Sequence, residues 1–283
     1  MKKPKISVII PEYNYPKFLF YTLDSLQKQS FKDYETILVD DYSVKKPSFN
    51  LNIIKNKRLK GPAGARNTGI LNARADIIAF IDSDCYADKD WLKNIYKNVK
   101  QESILMGKIK IPKSSLLGDS ISMLGFPAGG NLGFENVWKV DKENYTDHIS
   151  SCNFAIKKSL FKKYGLFDES FPIAGAEDSE FSWRLNQKGE KIKYCEDMLV
   201  WHEPRKTLIS FIKWQIYRGR SNYYFEKKVK NVNKFIKLRV WYAKNVIFKN
   251  LFNFKIFIII PLLFLSLICQ QIGYIQEKIK NDK

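Results

Sequence analysis

The apolar positions of the first hundred residues fall in short runs, each stopped by proline or by acid. ISVII at 6–10 ends at Pro11, TILV at 36–39 ends at Asp40 and Asp41, and DIIAFI at 76–81 ends at Asp82. Residues 51–54 form one more short run. Runs of this length bounded by such residues read as buried strands. Between them, helical spacing predicts helices at 17–29, at 65–75 after a turn at 61–64, and at 90–99. Strands alternating with helices predict βαβ units and an α/β fold with a mostly parallel sheet flanked by helices. Ligands of such sheets bind beyond the carboxyl ends of the strands. Polar residues gather there: Tyr13 with Asn14, Asp40 with Asp41, and Asp82 with Asp84.

The middle of the chain is less regular. Residues 103–111 read as a strand, and 118–133 as a glycine-rich loop around Phe126 and Pro127. Residues 150–156 read as a strand, 157–163 as a short helix, and 171–175 as a turn before a helix at 177–187. Two short strands follow at 191–194 and 198–201, then a helix at 207–224 with aromatic and basic faces. No internal repeat is present.

Composition narrows the class. In 283 residues, 45% are hydrophobic and 14% aromatic, which excludes a disordered chain. The cysteines, Cys85, Cys152, Cys195 and Cys269, form no CxxC pair, which argues against a disulfide framework or a zinc ribbon. The net charge of +19 points to an anionic partner. Most of the excess lies between residues 203 and 255, which hold 14 basic and 2 acidic side chains. Directly after comes an uncharged run, IFIIIPLLFLSLIC at 256–269. At the N-terminus ISVII is too short for a secretory core and is followed by Glu12, so the bulk of the chain is expected in the cytosol.

The apolar run makes the tail the membrane candidate. As a helix it reaches about 21 Å, against a bilayer core of about 30 Å. Extension to Tyr274 brings in Gln270, Gln271 and Gly273, and Pro261 is expected to kink the helix. A full span, a helix lying in one leaflet, and a buried core helix all fit the length. The flanking Lys and Arg, interleaved with Phe, Trp and Tyr, favour the two membrane forms. They also put the positive side in the cytosol.

Six groups could carry chemistry. Asp82 and Asp84, two apart at a strand end, suit one oxygen-loving cation, or a solvated turn. Asp41 suits a hydrogen bond from a base or ribose, or again a turn. Tyr13 is a stacking platform or a core aromatic. GPAGARNTG at 61–69 offers free N–H groups and Arg66, but is neither a Walker A loop nor GxGxxG, which removes ATPases and dehydrogenases. In GAEDSEFSWRL, Asp178 on a helix start is a candidate general base, or part of an acidic first turn favoured by the helix dipole. His202, after the apolar run MLVW, is a structural histidine or a neutral nitrogen ligand.

Taken in order, SVIIPEYN, ILVDDYS, GPAGARNTGI, IAFIDSDC, SCNFAIKKSLF, GAEDSEFSWRL and VWHEP resemble the family-2 glycosyltransferases. These are nucleotide-sugar-dependent inverting enzymes of the GT-A fold. The resemblance runs from residue 6 to about 221. It implies that Pro11, Tyr13 and Asp41 line the nucleotide base and that Arg66 lies near base or diphosphate. It further implies Asp82 at the ribose, Asp84 and His202 on a Mn²⁺ or Mg²⁺ ion, Asp178 as catalytic base and Arg184 in support. Glu12, Tyr42 and Ala176 depart from the usual pattern without removing any of these groups. The implied organisation is a donor-binding half at 1–100, an acceptor and base half at 101–225, and a membrane-associating tail at 226–283. The glycines at 129, 130 and 133 are a candidate acceptor-side lid.

The implied partners are a nucleotide-sugar, a UDP-sugar first among them, a carbohydrate or lipid-linked acceptor hydroxyl, and a membrane surface. The expected place is the cytoplasmic face of a membrane, in cell-surface polysaccharide or glycolipid synthesis. A nucleic-acid-binding protein would explain the charge, but not three carboxylate clusters at strand ends. A sugar-phosphate nucleotidyltransferase would want a basic, glycine-rich loop after the first strand. A catalytically dead membrane scaffold would not keep Asp84 and Asp178.

Overall fold

The computed structural model describes residues 2–45, 53–171, 174–229 and 232–282. Strands β1 (Ile6–Glu12), β2 (Tyr34–Asp40), β3 (Ile53–Lys55) and β4 (Ile77–Ile81) pair in parallel, in the order β3-β2-β1-β4. Helices α1 (Leu19–Gln27) and α2 (Pro62–Asn72) are their crossovers. Residues 51 and 52 of the third apolar run lie outside the described residues, as do 172 and 173 of the turn at 171–175. The chain continues through β5 (Cys85–Ala87), α3 (Trp91–Asn98), β6 (Ile104–Lys110), α4 (Leu116–Ser122), β7 (Tyr145–Thr146), β8 (Asn153–Lys157) and α5 (Ser159–Tyr164). It ends with α6 (Glu177–Gln187), β9 (Ile192–His202), α7 (Leu208–Lys228), α8 (Val232–Asn250) and α9 (Ile256–Asn281).

One sheet joins the N-terminal strands to those after residue 100, in the order β3-β2-β1-β4-β8-β6-β9-β5, with β7 beside β9. The first four strands are parallel, and the rest are mixed. β8 runs antiparallel to β4 and β6, β9 runs parallel to β6, and β5 runs antiparallel to β9. Where the two halves meet, Phe80 stacks on Phe154 at 4.5 Å. Phe161, Phe167 and Phe181 close around that pair and seat α6 against the sheet.

Several boundaries differ from the sequence reading, each for a local reason. Pro11 lies inside β1, at a point where β4 has already left the ladder after Ile9, so only β2 remains as a neighbour. α2 starts at Pro62 rather than at residue 65, because proline at the first helical position is already set to helical φ. The glycine-rich stretch is not one open loop. Its start is α4, capped by the Ser115 hydroxyl, and its remainder is tied by Asn131, which bonds Ile111 and Ser122. Leu124 and Leu132 anchor it beside Phe211, Val246 and Ile259 of the last three helices, so Gly129, Gly130 and Gly133 sit in a packed segment.

The two expected strands at 191–194 and 198–201 are one strand, β9, with an irregularity. Its register with β6 shifts between Gly107 and Lys108. The buried Asn153 amide fills the gap, donating to Lys108 O and Met198 O while accepting from Trp91 Nε1. A Cβ on Gly107 would stand 2.3 Å from that amide.

α9 is a continuous helix that carries Pro261 within it. It crosses α7 at two glycines. A Cβ on Gly219 would meet Gln270 O at 2.0 Å, and one on Gly273 would meet Ile216 O at 2.0 Å. Polar pairs lock the same face: Arg220 to Glu277 at 2.6 Å, Tyr224 OH to Glu277 at 2.6 Å, and Gln270 to Gln215 at 2.8 Å. Ile259, Leu262 and Leu263 pack with Ile121, Phe211 and Val246. The opposite face, with Phe257, Phe264, Ile268, Ile272 and Ile275, is exposed, and Phe252 in the preceding turn is 100% exposed. α9 is therefore half core helix and half uncovered apolar surface.

Candidate active site

Strand pairing brings the site together. β1, β2 and β4 deliver Tyr13, Asp41 and Asp82 to one rim, because parallel strands end on the same side. β5 then pairs with the end of β9, with Cys85 opposite His202. Glu203 N donates to Asp84 O at 2.9 Å, which closes this corner.

At the corner His202 Nε2 lies 3.4 Å from Asp84 Oδ2. His202 Nδ1 lies 2.8 Å from Glu203 O, and a carbonyl only accepts, so Nδ1 carries the proton. In the neutral ring Nε2 then turns a lone pair towards a carboxylate. Two acceptors facing at that distance fit a shared divalent cation. Cys85 Sγ belongs to the same group of atoms. Burial pushes its thiol well above the usual range, so it stays protonated and is a poor ligand.

Arg66 is the hinge of the centre. Buried in α2, it donates to Asp82 at 2.9 Å and to Glu177 at 2.8 Å. One guanidinium thus ties the end of β4 to the start of α6. Its pKa is held above the ordinary arginine value by those two carboxylates, against its own burial. Burial pushes Asp82 up, and the neighbouring Asp84 adds to this, with Arg66 opposing. Glu177 also accepts from Gly175 N and Ala176 N, which consumes its acceptor capacity.

Asp178, one residue on, is not consumed in this way. Among the described residues it makes no ion pair and accepts from Ser179 N and Oγ at 2.8 and 3.4 Å and from Ser151 N at 3.2 Å. Burial and then the Glu177 charge lift it to about 6, with Arg66 pulling the other way. A carboxylate poised there is a competent general base near neutrality. The working form is the ionised one, so the rate is expected to fall about tenfold per pH unit below 6. A pH–rate profile that stays flat from 7 to 4.5 contradicts the role.

The rim at the ends of β1 and β2 is more mixed. Tyr13 is 48% exposed with Lys60 Nζ 4.8 Å over its ring, so it is a rim platform and not a core aromatic. Pro11 is partly exposed beside it. Asp41 is buried and already accepts from Gly61 N and Asn56 Nδ2, so it shapes the loop before α2. The β1 and β2 loops are laced together by Asn14, which bonds Ser43 Oγ and Val44 N. Glu12 turns inward, accepts from Tyr15 N and leaves Oε2 unpaired. Arg184 lies away from the carboxylates and holds α6 to Tyr164 O and Leu166 O, with Glu180 as its ion pair.

Sequence reasoning placed the acids but missed their partners. Nothing in the spacing marks Glu177 as the mate of Arg66, 111 residues away, or Asn56 as the mate of Asp41. Arg205 and Arg218 read as part of a basic surface. Both instead stack on Trp214.

Residues 7–165 match the model of the family described as Glycosyl transferase family 2. An uncharacterized glycosyltransferase of Haemophilus influenzae is 28% identical over 256 residues, covering 87% of this chain and 97% of that one. The UDP-Glc:alpha-D-GlcNAc-diphosphoundecaprenol beta-1,3-glucosyltransferase WfaP of Escherichia coli is 25% identical, covering 88% and 97%. A mannosyltransferase of Pyrobaculum calidifontis, solved with GDP-Man and Mn²⁺, superposes with a TM-score of 0.56 at 18% identity, over 94% of this chain and 74% of that one. All three carry the names of glycosyltransferases.

Proposed function

The chain belongs to glycosyl transferase family 2, and from that membership we propose that it moves a sugar from a nucleotide-sugar to an acceptor hydroxyl by a single inverting displacement. The acceptor is a carbohydrate or a lipid-linked sugar, in cell-surface polysaccharide or glycolipid synthesis. The observation that carries this reading is the Asp82–Arg66–Glu177 bridge, which joins the donor rim to the helix that bears Asp178.

Each residue then has a task. Tyr13 and Pro11 cover the base, and Asp41 holds the loop that faces it. Asp82, fixed by Arg66, presents its second oxygen towards the ribose. Asp178 takes the proton of the attacking hydroxyl. Asp84 and His202 would hold a Mn²⁺ or Mg²⁺ ion, which when bound neutralises charge growing on the leaving diphosphate. A UDP-sugar is the first donor to try. The test is a screen of UDP-, GDP- and dTDP-sugars with Mn²⁺ or Mg²⁺, read as nucleoside diphosphate release. One donor class turned over with metal supports the reading. Release from none, or pyrophosphate release from a nucleoside triphosphate, contradicts it.

His202→Ala is expected to raise the Mn²⁺ concentration needed for half-maximal rate by at least about tenfold, since loss of mere outer-shell partners already costs 10- to 100-fold. Thermal stability should change little. A variant as active as the parent at limiting Mn²⁺ makes the histidine structural.

The tail lies along the cytoplasmic face of a membrane and does not cross it. A span by α9 would drag Arg218, Arg220 and Lys213 of α7 into hydrocarbon, because the two helices are locked at their glycines and at Glu277. Lying flat, α9 buries its exposed apolar face and leaves the basic side chains at headgroup level. The full chain is expected to float with phosphatidylglycerol-containing vesicles and to be released by alkaline carbonate. Phe257→Lys with Phe264→Lys should stop flotation. Retention through carbonate indicates a span, and no flotation indicates a soluble tail.

A further inference from the structure

The arginines of this chain divide into two kinds. Arg66, Arg184 and Arg220 each hold a carboxylate. Arg205 and Arg218 hold none, and among the described residues neither side chain makes an ion pair or a hydrogen bond. Arg205 Nε is buried without any partner.

Both are nonetheless placed with care. The Arg205 guanidinium lies 4.4 Å from the Trp214 ring, and that of Arg218 lies 5.4 Å from the same ring. Arg218 also lies 3.8 Å from the Phe126 ring. Two like charges therefore share contact with one indole. Aromatic faces offset part of the lost hydration, but they do not neutralise a charge. Burial lowers Arg218 to about 10, and the nearby charges of Arg239 and Arg205 act in the same direction. Two guanidiniums held on aromatic rings and without an ion pair suit an anionic ligand.

Its place says which anion. Arg205 follows His202 by three residues and feels the charge of Asp84. Arg218 feels the charge of Asp178. The pair thus stands near the carboxylates of both Asp84 and Asp178, on the α7 side of the site. Both arginines belong to α7 or its approach, and α7 packs on α9, whose outer face is apolar. A phosphate joined to a lipid would have its charge at the arginines and its chain at the membrane-facing helix.

We propose that Arg205 and Arg218, held on Trp214, clamp a phosphate or diphosphate group of the acceptor. The proposal rests on the glycosyltransferase reading and adds the acceptor's charged group to it. Arginine suits the task, because its planar fork matches phosphate oxygens and it stacks on aromatic faces.

The test is calorimetric and needs no acceptor. Inorganic pyrophosphate in EDTA probes the clamp, and UDP, GDP or dTDP with Mn²⁺ probes the donor site. The wild-type chain should bind pyrophosphate. Arg205→Gln and Arg218→Gln should each weaken it at least tenfold, with nucleoside diphosphate binding changed less than twofold. Arg218→Lys should restore part of the affinity, and Lys213→Gln, on the exposed side of α7, should match wild type. Thermal midpoints check folding. If Arg218→Gln unfolds, Arg205→Gln and Arg218→Lys decide. Pyrophosphate binding that is absent in the wild type, or unchanged in the variants, overturns the proposal. A parallel loss of nucleoside diphosphate binding overturns it too, since the arginines then serve the donor's phosphates. If wild type binds pyrophosphate but no nucleoside diphosphate, the fault lies in the glycosyltransferase reading and not in the clamp.

Discussion

Asp178→Asn lowers the transfer rate by about 10²- to 10⁴-fold, the usual loss when a general base is removed, and leaves donor binding as it was. The expectation comes from the division of labour in the first turn of α6. Glu177 is taken up by Arg66 and by two backbone N–H groups, while Asp178, with no ion pair among the described residues, accepts from Ser151 and Ser179. The amide of Asn keeps one oxygen for the Ser179 donors and gives up only the 3.2 Å bond from Ser151 N, so the helix start should survive. What it lacks is the ability to take a proton. The pH–rate profile should also lose its fall below about 6. Loss of donor affinity equal to that in an Asp84 variant would remove Asp178 from the role of base.

Asp84→Ala abolishes transfer by a different route. Removing this carboxylate leaves His202 Nε2 alone at the corner where β5 meets β9. Metal-dependent binding of nucleoside diphosphate should then disappear, while metal-independent binding through Tyr13 and its neighbours persists weakly. The fold should hold, because the Asp84 carbonyl, which pairs with Glu203 N, is untouched by the change. Calorimetry with and without Mn²⁺ separates the two variants. Asp178→Asn keeps the metal-dependent increment and Asp84→Ala loses it. An Asp84→Ala variant that retains the increment places the cation elsewhere.

The rim of strand ends was legible in the sequence because its physics is local. A buried apolar run that ends in Asp or Asn names both a strand and the position of its end. α6 was legible residue for residue, since Gly175 and an acidic first turn mark its start. What was not legible depends on contacts distant in sequence. β9 looked like two strands because its irregularity at Gly107 is made by Asn153, on another strand. The glycine-rich stretch looked like a free lid because the helices that cover it come a hundred residues later. Arg205 and Arg218 looked like surface charge because only the fold turns them onto Trp214. The tail's length fitted three geometries. The glycine crossing of α7 and α9 and the buried Glu277 are what favour the flat one.

The central claim is that the acceptor oxygen, deprotonated by Asp178, attacks the anomeric carbon from the face opposite a leaving group held at Asp84 and His202. Water can stand in for the acceptor, so the stereochemistry is measurable without knowing the acceptor. The measurement is proton NMR of the sugar first released from an α-configured nucleotide-sugar, recorded before mutarotation. The account predicts that the β anomer appears first and that Asp178→Asn slows its appearance by at least about a hundredfold. Initial release of the α anomer by the wild-type chain would contradict a single displacement and, with it, the role given to Asp178.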